Sequence, residues 1–150
     1  MTRPGFFLAL AALSLATSPT AEPAHFYTSS ATAALHRPFS DAVQVGEVLY
    51  LSGQIGARPG EDQVVPGGMI PQARQVMDNI GAILAERGLG FKDVFKCQVF
   101  LADMSQWADF NAVYVGYFKP GHFPARSALG ANGLAKGAAV EVECWAKIGP

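Results

Sequence analysis

The period of the apolar positions changes several times after residue 41, and each change marks an element. AVQVG and EVLYLSGQI are two apolar runs meeting at Gly46 and Glu47, which predicts a β-hairpin. Residues 57–68 are rich in Gly, Pro and charge and read as a loop. Pro71 is then expected to open a helix, since proline is tolerated in a first turn. Val76, Ile80, Ile83 and Leu84 recur at helical spacing, and Gly88 stops the pattern. DVFKCQVFL returns to a strand period, with Phe95, Cys97, Val99 and Leu101 expected on one face. Asp103 or Ser105 can cap a second helix whose apolar side is Trp107, Phe110, Val113, Tyr114, Tyr117 and Phe118, ending at Pro120 and Gly121. A short strand at ARSAL, a loop at GANGLAKG and a last strand, AAVEVECWAKI, complete the chain.

The order ββαβαββ predicts an α+β domain, one sheet with both helices packed on one face. The other face must then meet water or another subunit. In the last strand Val140, Val142, Cys144 and Ala146 point one way, and Glu141, Glu143, Trp145 and Lys147 the other. A tryptophan beside carboxylates on the uncovered face suggests a subunit interface or a cleft. No fixed-period repeat is visible, and residues 22–36, small and polar, read as a flexible lead-in.

The N-terminus reads differently. In residues 1–21 a positive Arg3 precedes an apolar run over residues 6–16, too short to span a bilayer, and Ser14, Leu15 and Ala16 have a small-x-small cleavage pattern, with Ala21 a second candidate. This predicts a signal peptide over 1–21, a mature domain over 22–150, and export to the periplasm without a membrane anchor. Half of the residues are hydrophobic and 15% charged, enough for a buried core and against disorder. No Lys/Arg run forms a basic stripe, which argues against nucleic acid as a partner. His25, His36 and His122 are isolated, and no Cys/His spacing suits a metal. Export permits a disulfide between Cys97 and Cys144, but each lies in an apolar run where cysteine also serves as a small hydrophobe.

Among polar residues, Arg126 follows Phe123, Pro124 and Ala125, and its planar fork suits a small carboxylate. Glu141 could orient a water if burial raised its pKa. The spacing equally allows a plain salt bridge between Arg126 and Glu141 or Glu143. Gly53 in LSGQI reads as a bulge or turn. Ser52 could bind a ligand or cap its own backbone. Asn111, an indifferent helix former, is either exposed or reaches across an interface.

The segments LSGQI, QARQVMDNIGAILAERG, FNAVYVGYF, FPARSA and VEVEC, in this order and spacing, resemble the RidA (YjgF) family of imine deaminases over residues 36–148. The resemblance implies a chorismate-mutase-like single sheet assembled as a homotrimer with sites at subunit clefts. It implies hydrolysis of 2-imino acids to 2-keto acids and ammonia, with no metal or organic cofactor. By that resemblance Arg126 clamps the substrate carboxylate, Glu141 positions water, and Ser52 and Asn111 line the pocket. Four places depart from the family pattern: Phe39 where active members often carry tyrosine, Gly56 where proline is frequent, Ala128 where cysteine is frequent, and the loop GANGLAKG. These predict a shifted substrate preference at a working site. Pyridoxal-phosphate dehydratases, the usual makers of 2-imino acids, are cytosolic, so an exported copy needs another source, such as an amino-acid oxidase or dehydrogenase. Two other readings compete: a non-catalytic binder of small carboxylates in the same cleft, and a ribonuclease, disfavoured by the lack of a basic patch or histidine pair.

Overall fold

The computed structural model describes residues 22–149; the signal-peptide reading of residues 1–21 lies outside the described residues. The strands are β1 (His25–Tyr27), β2 (Ala42–Val45), β3 (Val48–Leu51), β4 (Gln54–Ile55), β5 (Val94–Leu101), β6 (Ala125–Gly130) and β7 (Val140–Lys147). The helices are α1 (Ser30–Ala34), α2 (Met69–Ala85) and α3 (Trp107–Tyr114). All seven strands form one mixed sheet in the order β1-β2-β3-β7-β5-β6, with β4 also paired to β7. The fold is therefore α+β, one sheet with α2 and α3 over one face, as the strand and helix periods predict. No described helix is long and apolar enough to cross a membrane.

The last strand in sequence lies at the centre of the sheet. β7 is antiparallel to both β3 and β5, whereas β6 runs parallel to β5. Val140, Val142, Cys144 and Ala146 are fully buried beneath the helices. Glu141, Glu143 and Trp145 alternate with them on the open face, as the period of two requires. Met69, Ala73, Val76, Met77, Ile80 and Leu84 form the buried stripe of α2. Phe110, Val113 and Tyr114 do the same for α3.

Four expectations are corrected. Residues 22–36 are not a flexible lead-in: β1 pairs with β2, and α1 is capped by Ser29, whose hydroxyl accepts from Thr32 N at 3.2 Å. The buried Asp41 carboxylate holds this segment, accepting from Ser29 N at 2.7 Å and Thr32 Oγ1 at 2.6 Å. α2 begins at Met69, so Pro71 lies within the first turn. Phe95 does not share the face of Cys97, Val99 and Leu101. Val94 pairs with Ala146 and Lys96 with Trp145, so Phe95 is the extra residue of a bulge and rests exposed against Trp145, ring centroids 6.4 Å apart. Finally, Cys97 and Cys144 face each other across β5 and β7, and this register joins them as a disulfide, Cα atoms 4.1 Å apart.

A candidate active site in two halves

Glu141 owes its position to a break in the neighbouring strand. β3 and β4 both pair with β7, but between them Ser52 and Gly53 leave the ladder. A Cβ built at Gly53 would collide with Glu141 Oε1 and lie 3.0 Å from its Cδ. The glycine thus makes room for the carboxylate, and the bulge or turn read from LSGQI is this break. α2 fixes both flanks. The buried Asn79 amide donates to Ile55 O at 3.3 Å and Ala57 O at 2.8 Å, and Gln72 Oε1 accepts from Ala139 N at 2.8 Å. Gly56 allows this approach, since a Cβ there would stand 2.8 Å from Gln72 Cα. The frequent proline of the family pattern has no room at this position.

Glu141 is half-buried and lines a cleft of about 660 Å³ with Phe39, Ser52, Gly53, Arg37 and Lys136. Among the described residues it has no hydrogen-bond donor and no counter-charge. Burial, and secondarily the neighbouring Glu143 charge, raise its pKa above the usual carboxylate range. Glu143 is engaged instead with Gln98, whose Nε2 donates to it at 2.6 Å. Ser52 Oγ donates to Ser40 O at 2.6 Å, leaving its oxygen able to accept in the cleft. Phe39 is exposed at the rim, with the Arg37 guanidinium 5.9 Å from its ring centre. Arg37 and Lys136 are both drawn to Asp62, at 3.8 and 2.7 Å.

Arg126 lies elsewhere. In β6 it stands opposite Cys97 in a parallel pair, so it projects to the helix-covered face. There its guanidinium carbon lies 4.6 Å from the Trp107 ring centre, 4.5 Å from Tyr114 and 6.0 Å from Phe110. With Asn111, Tyr114, Val115, Phe123 and Pro124 it lines a second cleft of about 500 Å³. Ala128, two residues on, faces the same way and packs on the core. The structure thus sorts the expected residues into two groups: Glu141, Ser52 and Phe39 in one cleft, Arg126 and Asn111 in the other, with Ala128 beside the latter. Within one chain Arg126 and Glu141 leave the sheet on opposite faces, which excludes the simple salt bridge. Two contributors were not singled out from sequence: Gly53 as the seat of Glu141, and Tyr114, which sits within an apolar helical stripe.

Chemically, the first cleft offers a carboxylate whose raised pKa makes it a better proton acceptor than an exposed one. The second offers a guanidinium on an aromatic bed with no carboxylate partner among the described residues, a fork of donors suited to a carboxylate.

Residues 28–148 match the family described as Endoribonuclease L-PSP. A 2-iminobutanoate/2-iminopropanoate deaminase of Mus musculus is 43% identical over 123 residues, spanning 82% of this chain and 90% of that protein. The structure of RidA from the Antarctic bacterium Psychrobacter sp. PAMC 21119 shares 38% identity at a TM-score of 0.70, covering 75% of this chain and 89% of that one. The YjgF gene product of E. coli shares 35% at a TM-score of 0.67, covering 73% and 87%.

Proposed function

The chain belongs to the family described as Endoribonuclease L-PSP, that of RidA and YjgF, and we infer that it hydrolyses 2-imino acids to 2-keto acids and ammonia. One observation carries this reading. Among the described residues Arg126 and Glu141 are each without a counter-charge, on opposite faces of one sheet. In this reading a second copy contacts the open face so that the Arg126 cleft of one copy adjoins the Glu141 cleft of the other. The exposed Tyr50 and Phe95 around the half-buried Trp145 supply apolar area for that contact. The reading is of a homotrimer, the cyclic assembly in which one kind of contact closes and recurs at each site.

In this scheme Arg126 holds the substrate carboxylate bidentately. Glu141 takes a proton from water as its oxygen adds to C2 of the iminium. The proton then passes to nitrogen. As the C–N bond breaks and ammonia leaves, the carbinol hydroxyl gives its own proton to Glu141 and becomes the carbonyl of the 2-keto acid, and that proton departs with ammonia as ammonium. Water supplies the oxygen and no electrons are exchanged. The raised pKa of Glu141 suits both steps, since it makes the carboxylate a stronger base than an exposed one. Ser52 and Asn111 line the two sides, and Phe39 and Ala128 shape the pocket.

The family description names an endoribonuclease, but the cations of the Glu141 cleft are engaged elsewhere. Of the cations lining the Glu141 cleft, Arg37 and Lys136 pair with Asp62 and Arg58 pairs with Glu61 at 3.5 Å, leaving little for phosphate. The test is release of ammonia and keto acid from freshly generated 2-iminobutanoate, wild type beside Glu141→Gln and Arg126→Ala. Loss of about 100-fold or more in rate with ligand binding retained in Glu141→Gln supports the enzyme. Full turnover in that variant rejects the scheme, and binding of keto acid without turnover by the wild type leaves the carboxylate-binding module.

A further inference from the structure

Tyr114 carries the one buried side-chain polar atom without a hydrogen-bond partner among the described residues. The residue is only 3% exposed. Its ring is fully used: it packs on Phe110 and Phe118, centroids 5.5 and 4.7 Å apart, and Arg126 lies over it at 4.5 Å. Phenylalanine would make all those contacts without burying a hydroxyl that has no acceptor, an arrangement folding alone penalises. The hydroxyl therefore needs a partner from outside the described residues. Its surroundings say what kind. Tyr114 lines the same cleft as Arg126, whose guanidinium meets no carboxylate among the described residues. Both residues border that space, and a carboxylate, which only accepts, would satisfy a neutral donor and a cationic donor together.

We propose that the Tyr114 hydroxyl is a second donor to the carboxylate of the substrate, positioning it on Arg126. The proposal rests on the functional reading above. Desolvation raises the phenol to about 12, against a smaller opposing pull from Arg126, so the group stays protonated and remains a donor throughout the working pH range. Because the carboxylate is unchanged by hydrolysis, the contact is equal in ground and transition states and acts on KM rather than kcat.

The experiment is Tyr114→Phe. Its thermal midpoint, its affinity for 2-oxobutanoate by calorimetry and its steady-state constants with 2-iminobutanoate are compared with wild type and Arg126→Ala. The expected result is a midpoint equal to or above wild type, a Kd and KM raised roughly 10- to 100-fold, and kcat little changed. Wild-type affinity in Tyr114→Phe beside lost affinity in Arg126→Ala overturns the proposal alone. A lowered midpoint also overturns it, since the hydroxyl would then have a structural partner. A wild type that neither binds 2-oxobutanoate nor turns over the imine overturns the functional reading and the proposal with it.

Discussion

Replacing Gly53 with alanine should disable Glu141 without altering it. The φ of Gly53 lies outside the left-handed region, so alanine is compatible with the backbone there. The difficulty is contact. The added methyl would stand 3.0 Å from Glu141 Cδ and 3.2 Å from Cγ, and closer still to Oε1. Carbon atoms rest at about 3.5–4.0 Å, so the carboxylate must swing away by roughly 1 Å. Glu141 is half-buried and makes no side-chain hydrogen bond among the described residues, so it can move toward the cleft. The stability loss should then stay within about 1 kcal/mol. Misplacing a reacting group by that distance costs on the order of 100-fold in rate, about 2.7 kcal/mol of barrier. Initial rates with 2-iminobutanoate, read beside thermal midpoints, check both numbers. The cycle with Glu141→Gln is the sharper assay. If Gly53 acts only through Glu141, the double variant should be no slower than Glu141→Gln alone. A Gly53→Ala protein with wild-type kcat and an unchanged midpoint would refute the claim that this glycine seats the carboxylate.

Three further outcomes follow from the same geometry. The Cys97–Cys144 bridge closes a loop of 47 residues' separation, which in the chain-entropy account stabilises by about 4 kcal/mol; urea unfolding of Cys97→Ala/Cys144→Ala, and intact mass lower by two hydrogens in the wild type, check it, and native thiols open to a labelling reagent would contradict it. For pH dependence, a carboxyl whose folded pKa is raised favours its protonated form, so Glu141 becomes a competent base only as pH rises through that elevated value. Glu143→Gln removes the like charge, and the acid limb of kcat/KM should move to lower pH with a much milder rate loss than Glu141→Gln; an upward shift would contradict the electrostatics. Export is proposed from the N-terminal pattern and supported by the disulfide, which favours an oxidising compartment. Sequencing protein from its host should find a start between about residues 17 and 25, and an intact Met1 would reject it.

Local patterns in the chain revealed a good part of this molecule and long-range pairing hid the rest. The alternation of β7 could be read because its two faces meet different media, core and open face. Phe95 could not, because a bulge inserts one residue and inverts the face that a strict period of two assigns. The disulfide was undecidable from sequence since it depends on the β5–β7 register, which no local signal encodes. Residues 22–36 look polar and loose, yet the Asp41 carboxylate just beyond them orders them through Ser29 and Thr32, a pairing that no apolar period announces. At the site, motif resemblance identified Arg126 and Glu141, but their placement on opposite faces follows from the parallel β5–β6 pairing. Tyr114 was hidden for the opposite reason: in an apolar stripe its ring satisfies the pattern, and only burial of an unpartnered hydroxyl sets it apart.

The claim that one copy supplies Arg126 and the next supplies Glu141 can be tested by mixing. Arg126→Ala and Glu141→Gln proteins, each inactive alone, are unfolded together in equal amounts, refolded under oxidising conditions, and assayed for ammonia and 2-oxobutanoate from 2-iminobutanoate. In a cyclic trimer with sites between copies, every mixed assembly regains one intact site in three, and random mixing restores about a quarter of the wild-type rate. Restored activity of that order, absent when either variant is refolded alone, is the predicted result. Mixed assemblies that form but stay as inactive as their parents would contradict the account.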